Sequence, residues 1–230
     1  MVDASAAVSA RTVSVGPQAL EGLLAVPAGA LGLVIFAHGS GSSRLSSRNT
    51  RVAEHLQTHG LATLLFDLLH EDEARDRANV FDIALLGSRV EAAVAWAHGE
   101  PALAGLRLGL FGASTGAAAA LMAAARRPTD VAAVVSRGGR PDLAAPHLAA
   151  VRAPTLLIVG GADTHVLALN RQAYADLRCE KRLDVVPGAT HLFEEPGALG
   201  QVVDVATGWF EHHLAPAAPA GSVTAIDISE

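Results

Sequence analysis

Short apolar runs alternate along the chain with longer segments whose apolar residues recur at three- and four-residue steps. The runs 33–37, 61–66, 106–111, 131–136, 154–159 and 183–186 show almost no polar alternation, the pattern of strands covered on both faces. Between them, 47–59, 81–98, 114–127, 166–177 and 199–214 fit helices. In the second of these Ile83, Leu86, Val90, Val94 and Ala97 fall on one stripe. Gly60, Gly99 and Pro128 stand where three of the helices should stop. Strand followed by helix, repeated, predicts a doubly wound α/β domain with a parallel sheet. Residues 12–15 and 20–26 read as an antiparallel hairpin leading into it. Residues 1–214 are expected to form this single domain. The stretch 215–230, rich in Pro and Ala and then in Gly, Ser and Thr, reads as a disordered tail, with an added strand at 223–228 as the lesser alternative.

Composition narrows the function classes. Half of the 230 residues are apolar, 17% are charged, and mean hydropathy is +0.33, which excludes intrinsic disorder for the body of the chain. A lone cysteine, Cys179, excludes a disulfide framework, a cysteine-based zinc site and a CxxC redox pair. Seventeen basic against twenty-three acidic residues give −6, without a basic block, so nucleic acid and anionic membranes are poor partner choices. Asp3 stands where a signal peptide would carry a base, and no apolar core region follows. The apolar stretch 117–125 is too short to span a bilayer. A cytoplasmic location is expected.

In parallel α/β sheets the reactive loops lie at the carboxyl ends of the strands, and three residues stand out there: Ser114, Asp163 and His191. Ser114 sits in Gly112-Ala113-Ser114-Thr115-Gly116, after a strand and at the start of an Ala-rich helix. This is a G-x-S-x-G nucleophile elbow in the setting its mechanics require. The plainer alternative is a Gly-rich turn in which Ser114 caps the helix. Asp163 follows the 154–159 strand, where an Asp is also an ordinary helix cap. His191 follows the next strand in Pro187-Gly188-Ala189-Thr190-His191. Alone, a loop histidine reads as a surface residue. The chain order Ser, Asp, His, each after its own strand, is that of a hydrolase triad. In that reading His191 takes the Ser114 proton and Asp163 fixes the imidazole tautomer. The oxyanion is held by the N–H of Thr115 and a second N–H from His38-Gly39-Ser40-Gly41, with Ser40 the first choice and Gly39 the next. As a phosphate-binding turn, this loop lacks the required glycine spacing.

These motifs resemble the α/β-hydrolase superfamily, and within it the compact dienelactone-hydrolase-like proteins. The likeness runs from Phe36-Ala37-His38-Gly39 through the elbow and Gly160-Gly161-Ala162-Asp163 to Gly188-Ala189-Thr190-His191. It implies a mostly parallel sheet of about eight strands with helices on both faces. It also implies cofactor-free hydrolysis of small ester or lactone substrates through an acyl-enzyme. Dienelactone hydrolases proper carry Cys as nucleophile; Ser114 stands at that position here, and Cys179, at a helix end, does not match it. Related short hydrolases also occur fused to phosphoribosyltransferase domains, for which this chain has no room.

Only 137–151 is available where other members insert a cap, so no large lid is expected. Arg137 could bind an anionic substrate group or pair with Asp142 or a carboxylate of the 70–76 loop, and the balance favours the ion pair. The acids of 70–76 are interleaved with Arg75 and flanked by Arg77, and read as a solvated rim loop rather than a metal site; no metal is expected. A non-catalytic partner protein on the same fold is the alternative function. Oligomeric state is not legible.

Overall fold

A computed structural model describes residues 8–216; most of the predicted tail, 217–230, and the first seven residues lie outside the described residues. Eight strands form one sheet: β1 (Arg11–Val15), β2 (Leu20–Ala25), β3 (Gly32–Ala37), β4 (Leu61–Phe66), β5 (Leu108–Ala113), β6 (Val131–Arg137), β7 (Thr155–Gly160) and β8 (Lys181–Val186). Their order is β1-β2-β4-β3-β5-β6-β7-β8. The hairpin β1–β2 is antiparallel and so is the β2–β4 pairing; all later pairings are parallel. This is the mostly parallel α/β-hydrolase sheet the motifs imply.

The helices are α1 (Ser47–Thr58), α2 (Glu71–Ala74), α3 (Arg77–Phe81), α4 (Ile83–Gly99), α5 (Thr115–Arg126), α6 (Thr164–Asp176) and α7 (Ala198–Leu214). Successive strand residues point to opposite faces, and both faces are apolar. Leu33, Ile35 and Ala37 of β3 join α4 and α5 on one side. Val34 and Phe36 join α1 and α7 on the other. Continuous apolar runs are therefore what a sheet buried on both sides demands.

Two expectations shift. The 70–77 segment is not a loop but the short helices α2 and α3. His70 caps the first, and its own N–H donates to the Glu73 side chain at 2.9 Å. Glu73 is no free rim acid either, since it also pairs with the buried Arg89 at 2.6 Å. The long helix starts at Ile83 rather than Phe81, because the Asp82 side chain accepts from the Leu85 N–H at 2.9 Å and caps it. Between β6 and β7 a 3-10 segment, Pro141–Ala150, buries Ala144 and Leu148 in the core beside α5 and α6.

The α7 face depends on Phe210, fully buried over Gly109 of β5, where an added Cβ would meet the ring at 2.6 Å. Phe210→Ala should lower unfolding free energy by about 3–5 kcal/mol in urea titration at unchanged m.

Candidate active site

Ser114 occupies the turn between β5 and α5 with φ 51° and ψ −121°, a conformation L residues avoid. Its N–H donates to Arg137 O at 3.3 Å, and its carbonyl accepts from Arg140 N at 3.0 Å. The turn is tight because glycine flanks it. A Cβ on Gly116 would lie 2.2 Å from Ala37 O, and one on Gly112 would lie 2.4 Å from the Ala117 Cα. No flexible side chain can yield at either contact.

The three expected residues converge. His191 Nδ1 lies 2.8 Å from Asp163 Oδ2, and its Nε2 lies 3.4 Å from Ser114 Oγ. The tautomer that serves both contacts donates from Nδ1 to the carboxylate and accepts at Nε2 from the hydroxyl. Asp163 also accepts from Val166 N at 3.4 Å through Oδ1 and so caps α6. The structural and functional readings of this residue hold together, one oxygen each. The His191 loop is anchored by Phe193, whose ring is buried although its φ is 55°. That residue gave no sequence signal beyond being aromatic.

The expected oxyanion donors flank the nucleophile. Thr115 N–H opens α5 and has no helical acceptor. Gly39 lies against Ser114, where an added Cβ would come within 3.0 Å of the serine Cβ. The Ser40 N–H is engaged, donating to Thr115 Oγ1 at 2.9 Å, so a carbonyl oxygen must compete with that hydroxyl for it. The loop carrying these donors is fixed by His38. Leu68 N–H donates to His38 Nε2 at 3.1 Å, and Nδ1 lies 3.0 Å from Gly39 O, so Nδ1 carries the proton and the ring is neutral. Burial pushes its pKa down, against Gly39 O and Asp67, which favour the charged form.

Two cavities meet at this loop and share Gly39, Ser40 and Ser42. One, about 240 Å³, is lined by Ser114, His191, Arg137, Arg48 and Asn49. The other, about 530 Å³, has Leu68, Leu69, Val80, Leu86 and Thr115 in its walls. Arg44 bridges Glu21 and Asp67 beside the latter.

Arg137 does not form the expected ion pair. Asp142 is taken by Arg140, which donates from Nε at 2.9 Å and from a terminal nitrogen at 2.7 Å. This two-residue spacing lets the carboxylate meet the guanidinium fork directly. Arg137 lines the cavity beside Ser114 instead, and burial together with the neighbouring Arg48 pushes its pKa down to about 10. Arg48 and Asn49, on α1, carried no sequence signal for the site. Among the described residues no group of three or more His, Cys, Asp or Glu could hold a metal ion, and no helix is long and apolar enough to cross a membrane.

The model of the Dienelactone hydrolase family matches residues 20–207. Two Mycobacterium tuberculosis proteins, from strains CDC 1551 and H37Rv and each provisionally named a phosphoribosyl transferase, are 57% identical over 209 residues. That match covers 91% of this chain and 47% of theirs, so the chain spans about half the length of these curated relatives. The crystal structure of a dienelactone hydrolase from Anabaena variabilis is 55% identical, with TM-score 0.86, over 90% of this chain and 98% of that one. Est1E from Butyrivibrio proteoclasticus shares the fold at 16% identity, with TM-score 0.75, over 89% of this chain and 98% of its own.

Two outcomes test the geometry. Gly116→Ala should lower the unfolding midpoint by about 8 °C or more, because backbone must move to admit one methyl; a shift under about 2 °C would contradict the close approach. The second concerns His38. With its folded pKa below the unfolded one, the unfolded chain binds more protons, and stability rises with pH across that interval. Acidifying from about pH 7.5 through the usual histidine range therefore removes His38's contribution. His38→Gln should flatten that part of the Tm-versus-pH curve in scanning calorimetry. His213, also pushed down by burial, supplies remaining slope. An unchanged slope would move the titration away from His38.

Proposed function

The chain belongs to the dienelactone hydrolase family, and from that premise we propose that it cleaves carboxylic esters, short-chain acyl esters or lactones, through an acyl-enzyme on Ser114. The observation that carries this reading is His191 placed between a carboxylate at 2.8 Å and the strained serine's hydroxyl at 3.4 Å.

A serine hydroxyl is a weak nucleophile until a base removes its proton as it attacks. Ser114 Oγ adds to the ester carbonyl carbon while Nε2 of His191 takes the proton. Asp163, on the far side of the ring, stabilises the imidazolium and does not itself take the proton. The carbonyl oxygen becomes an oxyanion, received by Thr115 N–H and by Ser40 N–H as it leaves the Thr115 hydroxyl, with Gly39 alongside. Collapse expels the alkoxide, which leaves as alcohol with the proton from His191. Water then repeats the sequence on the acyl-enzyme, giving up one proton to His191 as it adds, and the acid is released as Ser114 regains a proton from His191. Nucleophile, base and oxyanion donors all come from the chain itself.

The name of the Anabaena relative extends the substrate range to lactones, whose ring opening uses the same steps. The phosphoribosyl transferase name belongs to chains about twice this length, and the groups gathered at Ser114 are those of acyl transfer.

A fluorophosphonate probe should label wild-type protein at Ser114. Ser114→Ala should lose labelling and hydrolysis of p-nitrophenyl butyrate. Asp163→Asn should keep the α6 cap, since Asn also caps well, yet lower kcat by roughly three to four orders of magnitude. Activity surviving in the alanine variant, or a probe that labels elsewhere, would overturn the assignment of Ser114; a wild-type protein that neither hydrolyses the ester nor takes up the probe would leave the non-catalytic reading standing.

A further inference from the structure

The smaller cavity holds a charge that the hydrolytic steps above do not use. Arg137, at the carboxyl end of β6, is 6% exposed, and among the described residues no carboxylate pairs with it. A terminal nitrogen reaches only the neutral Asn49 Oδ1, at 3.5 Å, while Nε has no partner at all. The guanidinium lies 5.9 Å from the Phe193 ring centre. The neighbouring charge that acts on it is another cation, Arg48. The Nε of Arg48 is likewise buried and unpartnered, and its outer nitrogen makes a long 3.4 Å contact with the exposed Glu194. A buried cation without a counter-ion is costly, and such groups concentrate where a ligand completes them.

A second feature points the same way. Ser46, Arg48 and Asn49 bring the N-terminus of the twelve-residue helix α1 to the same cavity. The Ser46 side chain accepts only the Asn49 N–H, at 3.4 Å, leaving first-turn N–H groups and the positive end of the helix dipole for an anion. Ser114 and His191 line the same cavity.

We propose that this cavity is an anion subsite, in which Arg137, Arg48 and the start of α1 hold a carboxylate or phosphoryl group at the far end of a short acyl chain whose ester carbonyl lies at Ser114. The assignment rests on the ester-hydrolase reading and makes the preferred substrates anionic esters. At about 240 Å³ the cavity admits an anionic head and a spacer of a few carbons. Carboxylate and phosphoryl oxygens offer the same chemistry to paired guanidinium forks, so both are tested.

The experiment compares kcat/KM for p-nitrophenyl hemiglutarate and the p-nitrophenyl ester of 3-phosphonopropanoate with that for p-nitrophenyl valerate. Wild-type protein should favour at least one anionic ester by about tenfold or more, with the better one identifying the headgroup, and the preference should shrink as salt rises. In Arg137→Gln the anionic-to-neutral ratio should fall to near one, and Arg137→Lys should restore part of it. A purely structural role would lower all three esters together. Should Arg137→Gln not fold, Arg48→Gln, at a more exposed position, should reduce the same ratio. A wild-type ratio of one or less for both anionic esters overturns the proposal. If no ester is cleaved and Ser114 is not labelled, the hydrolase reading fails by itself. The subsite is then judged by thermal shift: glutarate or inorganic phosphate should raise the Tm of wild type and not of Arg137→Gln, and no shift with either anion overturns it.

Discussion

Ser114 keeps its backbone at φ 51°, on the order of 1–3 kcal/mol above an ordinary conformation, because the surrounding structure leaves it no alternative. Its N–H and carbonyl are tied to the end of β6 and the loop after it. The first turn of α5 is pressed so closely onto the carbonyls of Ala37 and His38 that only glycine fits at 116. Relaxing the serine would require lifting α5, whose residues 117–124 are all buried, off the sheet. The strain is thus sustained by the apolar packing of the whole layer. Its result is an Oγ presented above the sheet edge, beside the first free N–H of a helix. The remainder of the site is arranged around this fixed point: the imidazole reaches in from β8, its carboxylate from β7, and the second donor from β3.

The same apolar layering explains why so much could be read from the chain. Each of the central parallel strands β3 to β7 is a local run with no polar residue facing out, so its identity is independent of what packs on it; only the edge strand β8 turns polar residues such as Arg182 outward. Of the elbow glycines, Gly112 is set by contacts within a few residues and Gly116 by the carbonyls of Ala37 and His38. Ser114, Asp163 and His191 were legible because each sits at the end of its own strand, in a chain order that the topology turns into proximity. Pairwise choices made in space were not legible. Asp142 lies five residues from Arg137 and two from Arg140, and the turn between them hands it to Arg140. Glu73 reads as one acid in a charged run until Arg89, sixteen residues on, meets it from α4. The engagement of Ser40 N–H by the Thr115 hydroxyl joins residues 75 apart, and no local pattern announces it. Short helices such as α2 and α3, which bury nothing themselves, leave no periodic stripe to find.

Electrostatically the site has two unlike sides. Around the 39–43 loop the larger cleft is bordered by Arg44 joined to Glu21 and Asp67, a compensated cluster. The smaller cavity is lined by Arg137 and Arg48, whose positive charge lacks any comparable compensation among the described residues. In the proposed reaction an ester lying across Ser114 would meet an apolar, charge-balanced wall on one side and a cationic one on the other, so that the two halves of the substrate would not be interchangeable.

Asp163 shows why a structural role and the proposed catalytic one need not compete for one side chain. Capping α6 uses Oδ1 and orienting the imidazole uses Oδ2. The cap is more than compatible with the second role: the bond to Val166 N–H fixes the rotamer in which Oδ2 faces the ring. A carboxylate so placed holds the His191 proton on Nδ1 and leaves Nε2 free to accept from Ser114. The preference for Asp at a helix start, which by itself would favour the plain reading of this residue, is part of what holds Oδ2 against the imidazole of His191.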